Sequence, residues 1–348
     1  MIQGFGRRFD ATGTPVDTAI AAGSGQFNLN QSDGETGFEP SLVTNRTGET
    51  VAAWATGSNL FAVVIDRGGA HVTSSETVIT GMTSPGTPAV TALPDGRFVV
   101  AWTDTAMTPG QQDVKVQLLS SAGAPITNPV TGTTGPFVAS TTAHTTDETP
   151  AVVALDNSSA MAVVWRDGTT IRGRFFGATG TPLGGSDLVL ATHPAGESIG
   201  PPQLATLGGD VVLLYRRATF GGDADAGQLL LRRLTASGAG IGMPVVVTDD
   251  VEQGPAALTI RGADVGVAWS ACAGDSDGAG CGIRFRRYDA NLTAVGAAVP
   301  VNTTTVGDQE DPSVGWLPDG AVAVTWTDPS GADPDRDPSA VRARIIYP

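Results

Sequence analysis

One short pattern recurs six times along the chain, and it limits the possible folds more than any other feature. Each copy opens on a proline, runs through a few apolar residues, turns, and ends on a second apolar run closed by an aromatic residue. The copies are PSLVTNRTGETVAAW from Pro40, PAVTALPDGRFVVAW from Pro88, PAVVALDNSSAMAVVW from Pro150, PQLATLGGDVVLLY from Pro202, PAALTIRGADVGVAW from Pro255 and PSVGWLPDGAVAVTW from Pro312. Their closing aromatics, Trp54, Trp102, Trp165, Tyr215, Trp269 and Trp326, lie 48, 63, 50, 54 and 57 residues apart. Such self-similarity marks a stacked architecture, because a unit of about fifty residues cannot bury its own apolar surface.

The rest of each repeat follows the same plan. A loop of variable length leads from the aromatic into a third strand: FAVVIDRGG, VKVQLLSSAG, IRGRFFGATG, LLLRRLTASG, IRFRRYDANL and VRARIIYP. A turn and a weaker fourth strand complete the unit, which reads as a four-stranded antiparallel meander. The 46 Gly and 23 Pro fit short strands with frequent turns rather than helices. Radial packing of such meanders buries face against face. The expected fold is therefore all-β: a single six-bladed β-propeller over residues 1–348, with blades at about 38–81, 86–140, 148–192, 200–249, 253–303 and 310–348. Residues 1–30 offer a third strand, Ile2 to Asp10, and a fourth near Phe27 to Asn30. They are expected to join the C-terminal blade beside Val341 to Tyr347 and close the ring. The alternative is a segment left over from a preceding repeat in a longer chain, which would leave an open edge able to pair with another subunit.

These residues resemble the propeller-forming repeats of large secreted and surface proteins of bacteria. Those repeats follow P-x-V-x-x-L-x-D-G-x-x-V-V-x-W, then an acidic Gly-rich loop, then I-x-x-R-x-F-x-x-x-G-x-P-V. IQGFGRRFDATGTPV at the start of the chain and the internal IRGRFFGATGTPL look like the last element. The resemblance spans essentially the whole chain and implies the fold and an extracellular or cell-surface setting. It implies little about activity, since one fold hosts many functions.

Charge narrows the partners. The chain has 35 acidic against 20 basic residues, a net charge of −15, and Lys115 is its sole lysine. Nucleic acid is excluded on this ground, because phosphate binding needs clustered Lys and Arg. Cations and cationic surfaces suit such a surface better. No apolar run is long enough to span a membrane as a helix. No charged n-region followed by an apolar h-region opens the sequence, so Met1 is expected to begin a chain trimmed from a longer one.

In a meander the loops between strands two and three share an edge with the links to the next blade. The turns Pro94-Asp95-Gly96 and Pro318-Asp319-Gly320 fall on the opposite edge. Sorting acids by this rule gathers them on one side: Asp223-Ala-Asp225, Asp275-Ser-Asp277 and Asp333-Pro-Asp335-Arg-Asp337 in the loops of blades four to six. The links add Asp33, Glu35, Glu39, Asp147, Glu148, Glu197, Glu252, Asp308, Glu310 and Asp311. Asp-x-Asp near glycine presents two hard oxygen ligands on one side of a turn. Asp223, Asp225, Asp275, Asp277, Asp333 and Asp335 are thus the candidate metal ligands, and calcium the candidate cofactor. None of the three loops matches a full EF-hand loop, and the plain alternative is that they are solvated turns.

Both cysteines flank the second of these pairs, in CAGDSDGAGC from Cys272 to Cys281. Antiparallel strands bring the two ends of such a hairpin loop together, so a Cys272–Cys281 disulfide is expected, which favours an oxidising compartment. Zinc would demand more thiolates or histidines, and His71, His144 and His193 lack zinc spacing and read as surface loop residues. Eleven arginines sit on third strands. Pairs such as Arg284 with Arg286 and Arg342 with Arg344 share a strand face, and are expected to stack on neighbouring aromatics or pair with acids of the next blade, the alternative being an anion or glycan site.

The functional expectation is a non-catalytic extracellular or surface binding module whose acidic, calcium-holding loop face recognises a protein or glycan. A second reading is a structural subunit that self-assembles through its terminal strand or blade edges. A third is a sialidase-like propeller glycosidase. Tyr288 and Asp289 follow Arg286-Arg287, but on a third strand, and the S-x-D-x-G-x-x-W turn typical of sialidases is missing.

Overall fold

The computed structural model describes residues 5–9, 15–16, 26–29, 40–57, 59–72, 76–79, 84–105, 112–128, 132–141, 147–155, 158–194, 197–219, 227–251, 256–272, 280–303, 306–330 and 340–347. Each repeat forms one antiparallel sheet whose strands pair in chain order. Blade one contains Ser41–Thr44, Thr50–Thr56, Asn59–Ile65 and Thr77–Ile79. Blade two contains Ala89–Ala92, Phe98–Thr105, Gln112–Leu119 and Phe137–Val138. Blade three contains Asp147–Ala154, Met161–Asp167, Thr170–Phe176 and Leu188–Thr192. Blade four contains Gln203–Leu207, Asp210–Thr219, Gly227–Leu234 and Gly240–Val251, with Glu197–Ile199 paired to the far end of its second strand. Blade five contains Ala257–Arg261, Asp264–Ala271, Gly282–Tyr288 and Ala294–Pro300. Blade six contains Glu310–Trp316, Val322–Asp328 and Ala340–Ile346.

The chain divides into two compact units, Met1–Leu190 and Ala191–Pro348. The first holds blades one to three, apart from the last two residues of blade three, and the second holds blades four to six. Within each unit the period of two along the second strand feeds two cores at once. In blade two, Phe98, Val100 and Trp102 pack with Val51, Ala53, Leu60 and Val64 of blade one. The intervening Val99 and Ala101 pack with Val152, Met161, Val163 and Trp165 of blade three. The second unit repeats the arrangement, with Trp269 of blade five against Val212, Leu214 and Leu231 of blade four, and Trp326 against Ile283 and Phe285 of blade five. A second strand buried on both faces is why these segments read as unbroken apolar runs.

The tight turns follow from their sequence. In Pro94-Asp95-Gly96 and Pro318-Asp319-Gly320 the glycines sit at φ +91° and +94°, a conformation that costs other residues energy. Asp95 and Asp319 accept the backbone N–H of Arg97 and Ala321 at 3.2 and 3.0 Å, which fixes both turns.

The outer strands bear on two expectations. Phe5–Phe9 pairs with Pro15–Val16 and Gln26–Asn28 in a three-stranded sheet of its own, and the sheet of blade six has three strands among the described residues. Gln26–Asn28 is thus the fourth strand expected near Phe27 to Asn30, paired with the expected third strand. Leu29, just after that strand, is buried against Ala52, Trp54, Val63 and Ile65 of blade one. The arginines differ from expectation. Their ion pairs lie within a blade, as for Arg172 with Asp167, Arg233 with Asp210, Arg287 with Asp264 and Arg342 with Asp328. What the neighbouring blade contributes is backbone carbonyls: Arg97 donates to Ala178, Arg174 to Ala139, Arg233 to Ala290, Arg261 to Leu317 and Arg344 to Val301. The expected stacking is present along the strand, with Arg174 and Arg286 each 5.8 Å from the ring centroids of Phe176 and Tyr288.

Candidate binding face

The ends of the second strands carry a recurring constellation. In three blades the aromatic is followed two residues later by aspartate: Trp102 and Asp104, Trp165 and Asp167, Trp326 and Asp328. Register places a third-strand cation opposite each aromatic, Lys115, Arg172 and Arg342 respectively. Because residues i and i+2 share a face, each cation reaches the aspartate diagonally. Lys115 Nζ lies 2.5 Å from Asp104, Arg172 Nε lies 2.5 Å from Asp167, and Arg342 pairs with Asp328. Burial alone would raise the Asp328 carboxyl, but the Ser330 N–H and hydroxyl and the Arg342 guanidinium outweigh it and hold the group below the usual carboxylate range. These carboxylates are engaged in the framework beneath the loops. The aromatic-x-Asp signal was visible in the sequence, but its meaning depends on the strand register.

Blade five departs from the pattern. Ala271 stands where the aspartate would be, and Cys272 follows it, disulfide-bonded to Cys281 as expected. The base of this loop is wired into the link to blade six. The Cys281 N–H donates to Asp308 at 3.1 Å, the Gln309 N–H donates to the Cys281 carbonyl at 2.8 Å, and the Ser270 hydroxyl donates to the Gln309 carbonyl at 2.7 Å. The Gln309 side chain is fully buried. Its amide donates to the carbonyls of Val306 and Gly307, and its oxygen accepts from Asn302, whose own oxygen accepts the Ile283 N–H. Every polar atom of that amide is thus satisfied without water. Gly280, at φ +137°, is required here, since a Cβ would lie 2.7 Å from the Gly307 carbonyl and the Asp308 carboxylate. Beside this base, Glu310 and Asp311 are exposed, and Asp311 holds a φ of +53°, uncommon for a residue other than glycine.

At the entry to blade four, His193 is not the surface residue its loop position suggested. Its side chain is 8% exposed, with Nδ1 3.3 Å from Glu197, which in turn lies 3.9 Å from Arg217. The imidazole rests against the Tyr215 ring at 5.8 Å between centroids. Burial and then the Arg217 charge push the His193 pKa below its ordinary value, only partly offset by Glu197, so the ring is neutral near pH 7. Burial raises the Tyr215 hydroxyl. Sequence inspection missed this cluster because its members come from three separate segments.

The six candidate metal ligands, Asp223, Asp225, Asp275, Asp277, Asp333 and Asp335, lie outside the described residues, as does His144. Among the described residues no group of three or more His, Cys, Asp or Glu side chains is placed to hold a metal ion. No helix among them is long and apolar enough to cross a membrane.

No family model matches the chain, and no curated protein sequence does. Solved structures do. A protein of unknown function from Dyadobacter fermentans is similar with a TM-score of 0.54 at 15% identity, over 91% of this chain and 96% of that one. The α-L-arabinanase of Penicillium chrysogenum, solved with arabinobiose, gives a TM-score of 0.53 at 12% identity, over 88% of this chain and 92% of its own. The β-propeller domain of the Trilobed protease from Pyrococcus furiosus aligns over 88% of this chain and 81% of that one, with a TM-score of 0.48 at 9% identity. At such identities the first two likenesses speak for the fold alone, and the fold is the β-propeller expected from the repeats, built from antiparallel sheets that each carry one repeat.

Proposed function

We propose that the protein is a non-catalytic binding module of an extracellular or cell-surface setting, whose strand-two loops present an acidic, calcium-loaded surface to a protein or glycan ligand. The observation that carries this reading is the anchoring of the blade-five loop. Cys272 and Cys281, which flank the segment with Asp275 and Asp277 in the sequence, are joined by the disulfide, and Cys281 is bonded to the backbone of the buried Gln309. Pre-organised ends lower the ordering cost of a loop when it binds. The disulfide, the acidic surface and the repeat pattern all suit an oxidising exterior.

The test pairs binding with hydrolysis. The protein should retain acidic-loop-dependent, calcium-dependent binding on a glycan or surface-protein array, and should leave arabinan oligosaccharides and a fluorogenic glycoside panel intact. Turnover of any of these substrates would replace this reading with the glycosidase one.

A further inference from the structure

The third strand of blade six, Ala340–Ile346, borders a cleft of about 410 Å³ lined by Thr303, Trp326, Arg342, Ala343 and Arg344. Arg342 and Arg344 are two residues apart and share a strand face, yet their charges are handled differently. Arg342 is neutralised by the buried carboxylate of Asp328. Arg344 has no carboxylate partner among the described residues, and its Nη1 donates to the neutral Val301 carbonyl at 2.6 Å. The indole Nε1 of Trp326, itself buried, has no acceptor among the described residues. One cleft therefore sets an exposed guanidinium without a carboxylate partner among the described residues beside the Trp326 ring.

The ligand's class follows from these groups. A planar guanidinium fork matches a carboxylate and binds it by charge-assisted hydrogen bonds. The net charge of −15 opposes a dianion more than a monoanion, which disfavours phosphate. The cleft is much larger than a carboxylate group, and among the described residues Ala343 lies on the edge strand of its sheet, where outward backbone N–H and C=O groups can meet hydroxyls. We infer that this cleft binds a hexuronic acid unit of an acidic glycan, its carboxylate on Arg344 and its ring hydroxyls against Thr303 and the Ala343 backbone, beside the Trp326 indole. This site belongs to the third strand and its neighbours and does not depend on calcium in the loops.

The test titrates the intact protein with D-galacturonate, D-galactose, acetate and inorganic phosphate, and follows the indole N–H signals in a ¹⁵N-labelled sample, with Trp326→Phe assigning the relevant peak. Galacturonate should bind in the millimolar range, shift the Trp326 peak, and lose at least about tenfold in affinity in Arg344→Met but not in Arg46→Met, an exposed arginine that is not among the residues lining the cleft. Absence of galacturonate binding, an unmoved Trp326 peak in the wild-type protein, or unchanged affinity in a folded Arg344→Met variant would each overturn the assignment. So would galactose, acetate or phosphate binding as tightly as galacturonate.

Discussion

His193 ties the entry of blade four to pH. In the unfolded chain it titrates near its ordinary value of 6.5, while burial and Arg217 hold the folded value lower. The unfolded state therefore takes up the proton first. The contribution to stability is complete above the unfolded value and is lost as pH falls from there toward the folded one. Urea midpoints measured between about pH 7.5 and 5.5 should fall on acidification in the wild-type protein and fall less in His193→Gln. Equal slopes in the two proteins would contradict the burial. Gln309 offers a second check. Gln309→Ala strands the Asn302 amide and the carbonyls of Val306 and Gly307, and should cost about 2–3 kcal/mol, whereas Glu310→Gln on the exposed neighbour should stay within about 0.5 kcal/mol, both read from chemical denaturation. Neither residue announced its role in the sequence. His193 stood among loop residues, and its burial depends on Glu197, Tyr215 and Arg217 arriving from other strands. Gln309 likewise acquires its partners only through the fold.

Strands and hairpins were far more legible, because their determinants are local. The unbroken apolar run from Phe98 to Trp102, turn residues at Pro94-Asp95-Gly96, and the recurring third-strand arginines each specify an element without knowledge of its neighbours. The same logic gives the cost of damage. Trp102→Ala removes an indole packed against blade one and should destabilise by about 3–5 kcal/mol, measured as a shift in the denaturation midpoint. The Cys272–Cys281 clip is also an element-level device. Replacing both cysteines by serine should lower stability by about 2–3 kcal/mol, as expected for a short closed loop, and should abolish the sensitivity of the melting temperature to reductant. A reductant effect that persists without the cysteines would show that the clip is not its source. Contacts without a local signal were harder to read. The arginines could reach acids in either of two blades, and strand register decided for Arg172, Arg233, Arg287 and Arg342, which pair within their own.

At the level of the molecule, six repeats at a steady period were enough to read the propeller, since only stacking of such units buries their faces. Function is a different matter, because it resides in loops and side chains that the repeat does not dictate. The acidic pairs Asp223 with Asp225, Asp275 with Asp277 and Asp333 with Asp335 are the part of the account on which the binding proposal rests. An ion bound by the native state and not by the unfolded chain must raise the melting temperature. Thermal melts in millimolar calcium and in chelator, on the wild-type protein and on a variant combining Asp275→Asn with Asp277→Asn, test this directly. The account predicts a calcium-dependent rise of several degrees that shrinks in the variant. Superimposable wild-type melts in calcium and in chelator would contradict it.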